Sequence, residues 1–579
     1  MTAMDSNSIL QALTQDGDLV VDRLAHWAAT RGERTCIHYG EDDVRLSFAQ
    51  LHDISDAIAG NLAAMGVCKG MHVSVFTRNQ LVAIQAMFGI WKTGAVYCPT
   101  NYALTGRLLA YQLKDAAPAL LIVERALVPA LAEVLQEADS IRTLVIYDAP
   151  EGAHDHLADR PALPDDVSMA HQPWERLLQP ARRPAVHVSY QDPANIIYTS
   201  GTTGPAKGVV QPHRWMNQYT FLFRQLLDED DVIYNDLPMY HVGGAVYNVV
   251  RGIWAGCATA CWDRFSPNQF WHRIRSSGAT SAVLVDTMIA WLAKMPESPD
   301  DRNHSLNKVH MQPLPARHTE IAQRFGFDFV TAGFGQTESG LSCFTIIEET
   351  DASSETPVQF RKGPWREQIR ERAARYNASV LRFEEAGSVG KGYMGAPALF
   401  AEAAVLDDDD NICPPNRAGQ LAFRPRVPFV FLEGYLNKPE ATIKAFRNLW
   451  FHTGDAARVH DNGTFTFVDR MGDRIRVRGE NIASFDVEDM LNQHEGVAMT
   501  AAFAIPAEEG DEDDVVVYVV PREAGELTED MIARWAAEKM PKYMRPRHVR
   551  IVDELPRTAT QKVEKFRLRQ RILDELRRS

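Results

Sequence analysis

The segment Tyr198-Thr199-Ser200-Gly201-Thr202-Thr203-Gly204-Pro205-Ala206-Lys207-Gly208 follows directly on an apolar run and concentrates the means of holding an anion. Gly201, Gly204 and Gly208 let backbone N–H groups approach closely, four hydroxyls add donors, and Lys207 supplies a point charge. Together they describe a polyphosphate cradle. No Gly-Lys-Ser/Thr follows the glycines at the spacing of a Walker loop, so a different class of nucleotide chemistry is indicated, with a flexible surface turn as the bland alternative.

Four further segments carry polar groups in a fixed order. They are Leu237-Pro238-Met239-Tyr240-His241, Gly333-Phe334-Gly335-Gln336-Thr337-Glu338, Trp450-Phe451-His452-Thr453-Gly454-Asp455, and Leu555 to Lys565 with Lys562 inside it. The Gly-x-Gly of the second lacks the third glycine of a dinucleotide site and means little alone. A lone His241 after an apolar strand is as readily a satisfied core residue, and Lys562 alone as readily one more cation in a basic tail.

In this order the segments resemble the signatures of the adenylate-forming superfamily of acyl-CoA synthetases, adenylation domains and luciferases, over nearly the whole chain. The resemblance implies that Thr199, Ser200, Gly201, Thr202, Thr203, Gly204 and Lys207 hold ATP phosphates. It further implies that Gly335, Gln336 and Thr337 line the adenylate, that Glu338 holds Mg2+, and that His241 stands beside the acyl carboxylate. Asp455 takes the ribose hydroxyls, a task suited to a carboxylate accepting two hydrogen bonds from a diol. Arg470 occupies the ribose- or phosphate-contacting position at the domain junction. Lys562 becomes the catalytic lysine, an ammonium that offsets the cost of bringing acyl carboxylate and α-phosphate together. Arg478-Gly479-Glu480-Asn481 is similar to the loop admitting the pantetheine arm of coenzyme A, where a side chain at Gly479 would narrow the path; a simple turn glycine is the competing reading. In detail the chain looks closest to the crotonobetaine/carnitine-CoA ligase branch.

These residues need a scaffold, and the sequence announces one. From Ser47, FAQLHDISDAIAGNLAAMG repeats apolar residues at helical spacing and stops at Gly66. Apolar strands at 72–77, 119–123, 194–199, 231–236, 281–285 and 327–332 alternate with helical stretches, which predicts an α/β fold of parallel sheets with helices on both faces. From about residue 400 the short alternating segments AEAAVLD, GQLAFRP and GTFTFVD read as a β subdomain. The expected organisation is a large adenylate-forming region over 1–471, with stacked αβα sheets and a β subdomain at about 400–471, and a small mobile α+β domain over 472–579 hinged near Gly472. The basic stretch within 351–385 reads as a solvated amphipathic helix in a surface insertion.

At 579 residues the chain exceeds the size of one core, and its 45% hydrophobic and 24% charged residues exclude disordered, collagenous and coiled-coil classes. A net charge of −15 disfavours nucleic acid and anionic membrane as partners. Seven scattered cysteines without a CxxC pair, and an N-terminus without a basic and then apolar region, predict a reducing cytoplasm. The least polar long stretch, 242–262, is interrupted by Asn248 and Arg251, which argues against a membrane span.

The expected activity is that of an acid–CoA ligase with ATP/AMP, Mg2+ and coenzyme A, acting on a small carboxylic acid; a homodimer is left open. Three alternatives stand beside it: an enzyme that only thioesterifies a pre-formed acyl-adenylate, a carrier-loading adenylation enzyme, and a non-catalytic nucleotide sensor. The presence of Lys562 and Glu338 argues against the sensor. His310-Met311-Gln312-Pro313 stands where Gly-Gly-Ala-Pro is usual in the family, so His310 and Met311 are both expected to press on a purine. Gln561 stands where a glycine usually precedes the lysine.

Overall fold

The computed structural model describes residues 4–162, 169–199, 206–471, 475–477, 480–482, 484–507, 513–523, 525, 527–557 and 563–577. The chain forms two compact units, one of Met1–Gly201, Pro205–Ala403 and Phe423–Phe451, the other of Thr202–Gly204, Ala404–Ala422 and His452–Ser579.

In the first unit the alternation read from the sequence becomes two sheets. Strands His72–Phe76, Val96–Pro99, Leu120–Glu124 and Thr143–Tyr147 pair in parallel, and Pro193–Thr199 joins them beside Val96–Pro99. The second sheet runs parallel through Ala258–Cys261, Val232–Asn235, Ser281–Val285, Lys308–Gln312 and Phe329–Gln336, and then turns antiparallel into Gly340–Glu348. Helices cover these sheets for local reasons. Helix Phe48–Ala64 starts at a capping box in which Gln50 N donates to Ser47 Oγ and Ser47 N donates to Gln50 Oε1. It buries Phe48, Leu51, Ile58 and Leu62 on one face and ends where Gly66 takes a positive φ of 89°.

Two buried ion pairs brace the second sheet. Lys308 Nζ lies 2.8 Å from Asp231 Oδ1, with the two side chains 2% and 0% exposed. Asp231 also accepts from Thr280 Oγ1 at 2.6 Å and from Asp228 N at 2.8 Å. Lys308→Met strands that carboxylate, and the expected loss is about 3–5 kcal/mol of stability, read as a lower urea midpoint. An unchanged midpoint would show that the pair does not brace the sheet.

The second pair responds to pH. His318 Nδ1 faces the Glu349 carboxylate and Nε2 lies 3.1 Å from the Val389 carbonyl, an arrangement that favours the imidazolium by offering an acceptor to each nitrogen. Burial by itself lowers the His318 pKa, but Glu349 and the Val389 carbonyl outweigh it and the net shift is upward from 6.5. A folded pKa raised above the unfolded one gives stability that is complete below the unfolded value and is lost as pH rises through the folded value. The stability advantage of the wild type over His318→Gln is therefore expected to be larger at pH 6 than at pH 9 in urea titrations; an equal advantage would contradict the charged pair.

The structure revises one expectation. Helix Arg366–Arg375 is not a free solvated face: Ile369 and Ala373 are buried, and Arg370 clasps the buried Glu348 with two bonds of 2.7 and 2.6 Å. Arg366 meets Glu355 at 3.1 Å and Arg372 meets Asp228 at 2.8 Å. The following strand Ser379–Leu381 pairs in parallel with Gly340–Glu348. The arginines that read as surface charge dock the helix on the sheet.

In the second unit, strands Phe451–Val459 and Phe465–Arg470 pair antiparallel. Strands Val497–Pro506 and Asp513–Pro521 form an antiparallel ladder, which His548–Ile551 extends in parallel. Period-two alternation sends Ala502, Val517 and Val519 to one face, under helices Ser484–Asn492 and Glu529–Lys539. Phe503, Val516 and Tyr518 go to the other, under helix Lys565–Leu576. Gly472, expected as a hinge, lies outside the described residues.

Candidate active site

Strands Pro193–Thr199 and Lys207–Pro212 pair antiparallel with Thr199 opposite Lys207, so the ends of the anion-holding segment stand side by side. Ser200, Gly201, Thr202, Thr203 and Gly204 lie outside the described residues. The scaffold around them is polar and tight. Tyr111 O–H donates to the Ala206 carbonyl at 2.8 Å, and Tyr198 O–H donates to Asp115 Oδ2 at 2.8 Å. A Cβ at Gly208 would lie 2.9 Å from Ile196 Cγ2 and 3.1 Å from Tyr198 Cζ, so the glycine there answers to close packing.

Lys207 and Glu338 are brought together by a residue the sequence did not flag. The short strand Gly434–Tyr435 pairs with Val209 and Val210. This puts the Tyr435 ring 4.6 Å from Lys207 Nζ, while the phenol donates to Glu338 Oε1 at 3.1 Å. Burial and the adjacent carboxylate both raise the Tyr435 pKa, so the phenol keeps its proton and remains a donor. The Glu338 backbone is fixed independently: its carbonyl accepts from Leu432 N at 2.7 Å and from Trp215 Nε1 at 3.3 Å. Gln211 Nε2 donates to the Thr337 carbonyl at 2.8 Å. Gly335 and Gln336 finish strand Phe329–Gln336, opposite Leu341 and Gly340, and a Cβ at Gly335 would lie 3.2 Å from Tyr219 Cε2.

His241 is half-buried at the end of the segment after strand Val232–Asn235, and its Nδ1 accepts from Gly243 N at 3.1 Å. That bond fixes the tautomer, leaving Nε2 to carry the ring proton in the neutral state. Gln80 Nε2 supports the same segment by donating to the Leu237 carbonyl at 3.1 Å.

In the second unit, Asp455 and Arg470 stand directly opposite each other in the ladder of Phe451–Val459 with Phe465–Arg470. Asp455 is 8% exposed and follows Gly454, whose φ of 77° makes a sharp bend. Strands Ile475–Val477 and Glu480–Ile482 pair with Val477 opposite Glu480; Arg478 and Gly479, between them in the sequence, lie outside the described residues. So do Gln561 and Lys562, bracketed by the bridge of Arg557 to Val563. Lys565, three residues on, is pinned by Ser484 Oγ at 2.6 Å and Glu488 Oε1 at 2.8 Å.

In the first unit Tyr435 links Lys207 and Glu338 near the ends of the anion-holding segment, and in the second Asp455 stands opposite Arg470. The sequence profile described as AMP-binding enzyme matches residues 24–436, and that of the AMP-binding enzyme C-terminal domain matches 486–562. The chain belongs to the AMP-binding enzyme family. This AMP-binding enzyme is 26% identical over 552 residues to the crotonobetaine/carnitine–CoA ligase of Citrobacter koseri, covering 94% of this chain and 97% of the relative. It is 26% identical over 538 residues to the long-chain-fatty-acid–CoA ligase FadD13 of Mycobacterium tuberculosis, covering 91% and 93%. Among solved structures it is similar in fold to the anthranilate CoA ligase AuaEII in complex with anthranoyl-AMP, at a TM-score of 0.76, 22% identity and coverage of 96% and 97%. It is likewise similar to the O-succinylbenzoate CoA synthetase of Bacillus subtilis in complex with AMP, at 0.72, 22%, 94% and 97%.

In this AMP-binding enzyme the expectation of two bulky residues under a purine fails for Met311. Alternation along strand Lys308–Gln312 turns Met311 into the hydrophobic core among Leu284, Leu292, Val330 and Ala332, with 0% exposure. His310 goes to the opposite face, where its Nδ1 lies 3.0 Å from the Thr331 carbonyl and its ring stacks on Tyr247 at 5.3 Å. Burial pushes the His310 pKa down to about 4, so it is a neutral ring at working pH.

Proposed function

We propose that this enzyme is an ATP-dependent acid–CoA ligase. In the first half-reaction a carboxylate oxygen of the acid forms a bond to the α-phosphorus of ATP as the bond from that phosphorus to the bridging oxygen breaks, giving acyl-adenylate and pyrophosphate. In the second, the thiolate of coenzyme A bonds to the acyl carbonyl carbon and AMP leaves. The observation that carries the reading is the grouping of Lys207, Tyr435 and Glu338 beside the ends of the anion-holding segment, in a chain whose relatives over nine-tenths of its length are CoA ligases.

The residues fit their substrates chemically. No carboxylate among the described residues forms an ion pair with Lys207, whose ammonium is thereby available to a phosphate oxygen. Glu338 is the residue to hold Mg2+, which when bound neutralises phosphate charge. Asp455 is the acceptor for a ribose diol, with Arg470 at the opposite ladder position. His241, whose Nδ1 accepts from Gly243 N, keeps Nε2–H as the donor suited to orient an acyl carboxylate. Lys562 and Gly479 act through the small C-terminal domain, the first in adenylation and the second on the path of coenzyme A. The thioester-only alternative loses one of its motives, since Met311 belongs to the core.

The partners proposed are the acid and coenzyme A, and the compartment is the cytoplasm, which all seven cysteines being free supports. No helix of the described residues is long and apolar enough to cross a membrane.

Pyrophosphate release across a panel of acids, with and without coenzyme A, tests the reading. Acid-dependent release, with thioester appearing only when coenzyme A is present, is expected. ATP cleavage indifferent to the acid would contradict it. Tyr435→Phe tests the arrangement at Glu338. Losing a hydrogen bond to a charged group removes about 1.5–3 kcal/mol, so the Mg2+ concentration for half-maximal rate should rise at least about tenfold while the fold is kept. An unchanged Mg2+ requirement would separate Tyr435 from the metal-holding carboxylate.

A further inference from the structure

Arg251, read in the sequence only as an interruption of an apolar stretch, is an anomaly in the interior. Its side chain belongs to a residue 3% exposed, its Nη2 reaches only Asn248 Oδ1 at 3.4 Å and Ser281 Oγ at 3.3 Å, and its Nε has no hydrogen-bond partner. No carboxylate among the described residues pairs with it; its charge instead faces the Tyr247 ring, 4.3 Å from the centroid. Lys92, Arg214 and Lys308, comparably buried, each meet a carboxylate at 2.6 to 2.8 Å. A buried guanidinium without a counter-charge is costly, and the cost is recovered when an anion is brought to it. Tyr247, 2% exposed, sets its hydroxyl beside Arg251 and Thr331. The neighbouring His310, being neutral, adds no second positive charge.

The position connects this pair to the acyl end of the site. Tyr247 lies on the π-helix Gly243–Val250, which starts two residues after His241, and Arg251 opens the α-helix that continues it. π-helical turns are rare and cluster at functional sites. The Tyr247 ring is 6.0 Å from that of Tyr219, which in turn touches the position of Gly335. A line of buried side chains, Tyr219, Tyr247 and Arg251, thus leads inward from the Gly335 and His241 region.

We propose that the acid activated here carries a second anionic group, in its simplest form a distal carboxylate, which Arg251 receives with the Tyr247 hydroxyl as companion donor. The inference rests on the ligase reading above and names the substrate class of that same site. An acid lacking the distal group leaves the guanidinium buried and unpaired, so discrimination comes from the cost of the wrong substrate as much as from the contact with the right one.

The test compares pyrophosphate release and thioester formation for straight-chain diacids from succinate to sebacate with the monoacids of matched length. The wild type is expected to favour at least one diacid over its monoacid by about a hundredfold in kcat/KM. Arg251→Met is expected to remove that preference by loss of diacid turnover together with a rise in the monoacid rate, and Arg251→Lys to restore part of it. A wild type that prefers monoacids overturns the proposal and leaves the ligase reading standing, and this holds even if the variants do not fold. A diacid preference that Arg251→Met leaves intact overturns the assignment to Arg251. Failure of every acid to release pyrophosphate removes the ligase reading and the proposal with it.

Discussion

Replacing Lys562 by alanine is expected to lower adenylate formation by about 10²–10³-fold, while thioester formation from a supplied acyl-adenylate proceeds as in the wild type. The magnitude is that of removing one preorganised charge from a transition state in which negative charge accumulates. In the first half-reaction two anions, a carboxylate and a polyphosphate, must meet, and an ammonium between them lowers the barrier. In the second the phosphate departs with AMP and no such meeting occurs, so the lysine has nothing to neutralise. Residues 558–562 lie outside those described, but they are bracketed by the bridge of Arg557 to Val563, and helix Lys565–Leu576 is anchored through Lys565 to Ser484 and Glu488. The two half-reactions are followed by pyrophosphate release and by thioester formation from synthetic acyl-adenylate. Equal losses in both, with the protein folded, would contradict the division of labour.

The complementary result is expected for Gly479→Leu. Pyrophosphate release should persist and thioester formation should fall by about a hundredfold, the scale on which misplacing a reacting group slows a reaction. Gly479 falls between two strands paired with Val477 opposite Glu480, in the segment that resembles the pantetheine path. If the resemblance holds at Gly479, a branched side chain narrows the path of coenzyme A and leaves adenylation alone. Unchanged coenzyme A-dependent turnover would place the path elsewhere. Observed together, the two variants split one activity into its halves from opposite sides.

Much of this was legible in the sequence, for local reasons. The apolar run FDFVTA becomes the strand that delivers Gly335 to Glu338, and ANIIYT becomes the strand that delivers Thr199, since each is a short buried segment whose period and length admit a strand. The capped helix at Ser47 was equally readable. What was hidden depends on pairings between distant segments. Tyr435 meets Lys207 and Glu338 because strand Gly434–Tyr435 adds to an edge more than two hundred residues earlier, and nothing in a two-residue strand announces its partner. The arginines of Arg366–Arg375 had the spacing of a surface helix, and only the tertiary fold shows that Glu348 and Asp228 await them. His310 and Met311 were adjacent in the sequence, yet the pleat of the strand separates them to opposite faces.

In the proposed first half-reaction an oxygen of the acid becomes bonded to the α-phosphorus of ATP. The most direct measurement takes the most active acid of the panel with its carboxylate labelled by 18O and follows the label by mass spectrometry after one complete turnover with coenzyme A. One labelled oxygen is expected in the phosphate of AMP and none in pyrophosphate. Label in pyrophosphate or inorganic phosphate, or unlabelled AMP alongside thioester, would contradict it.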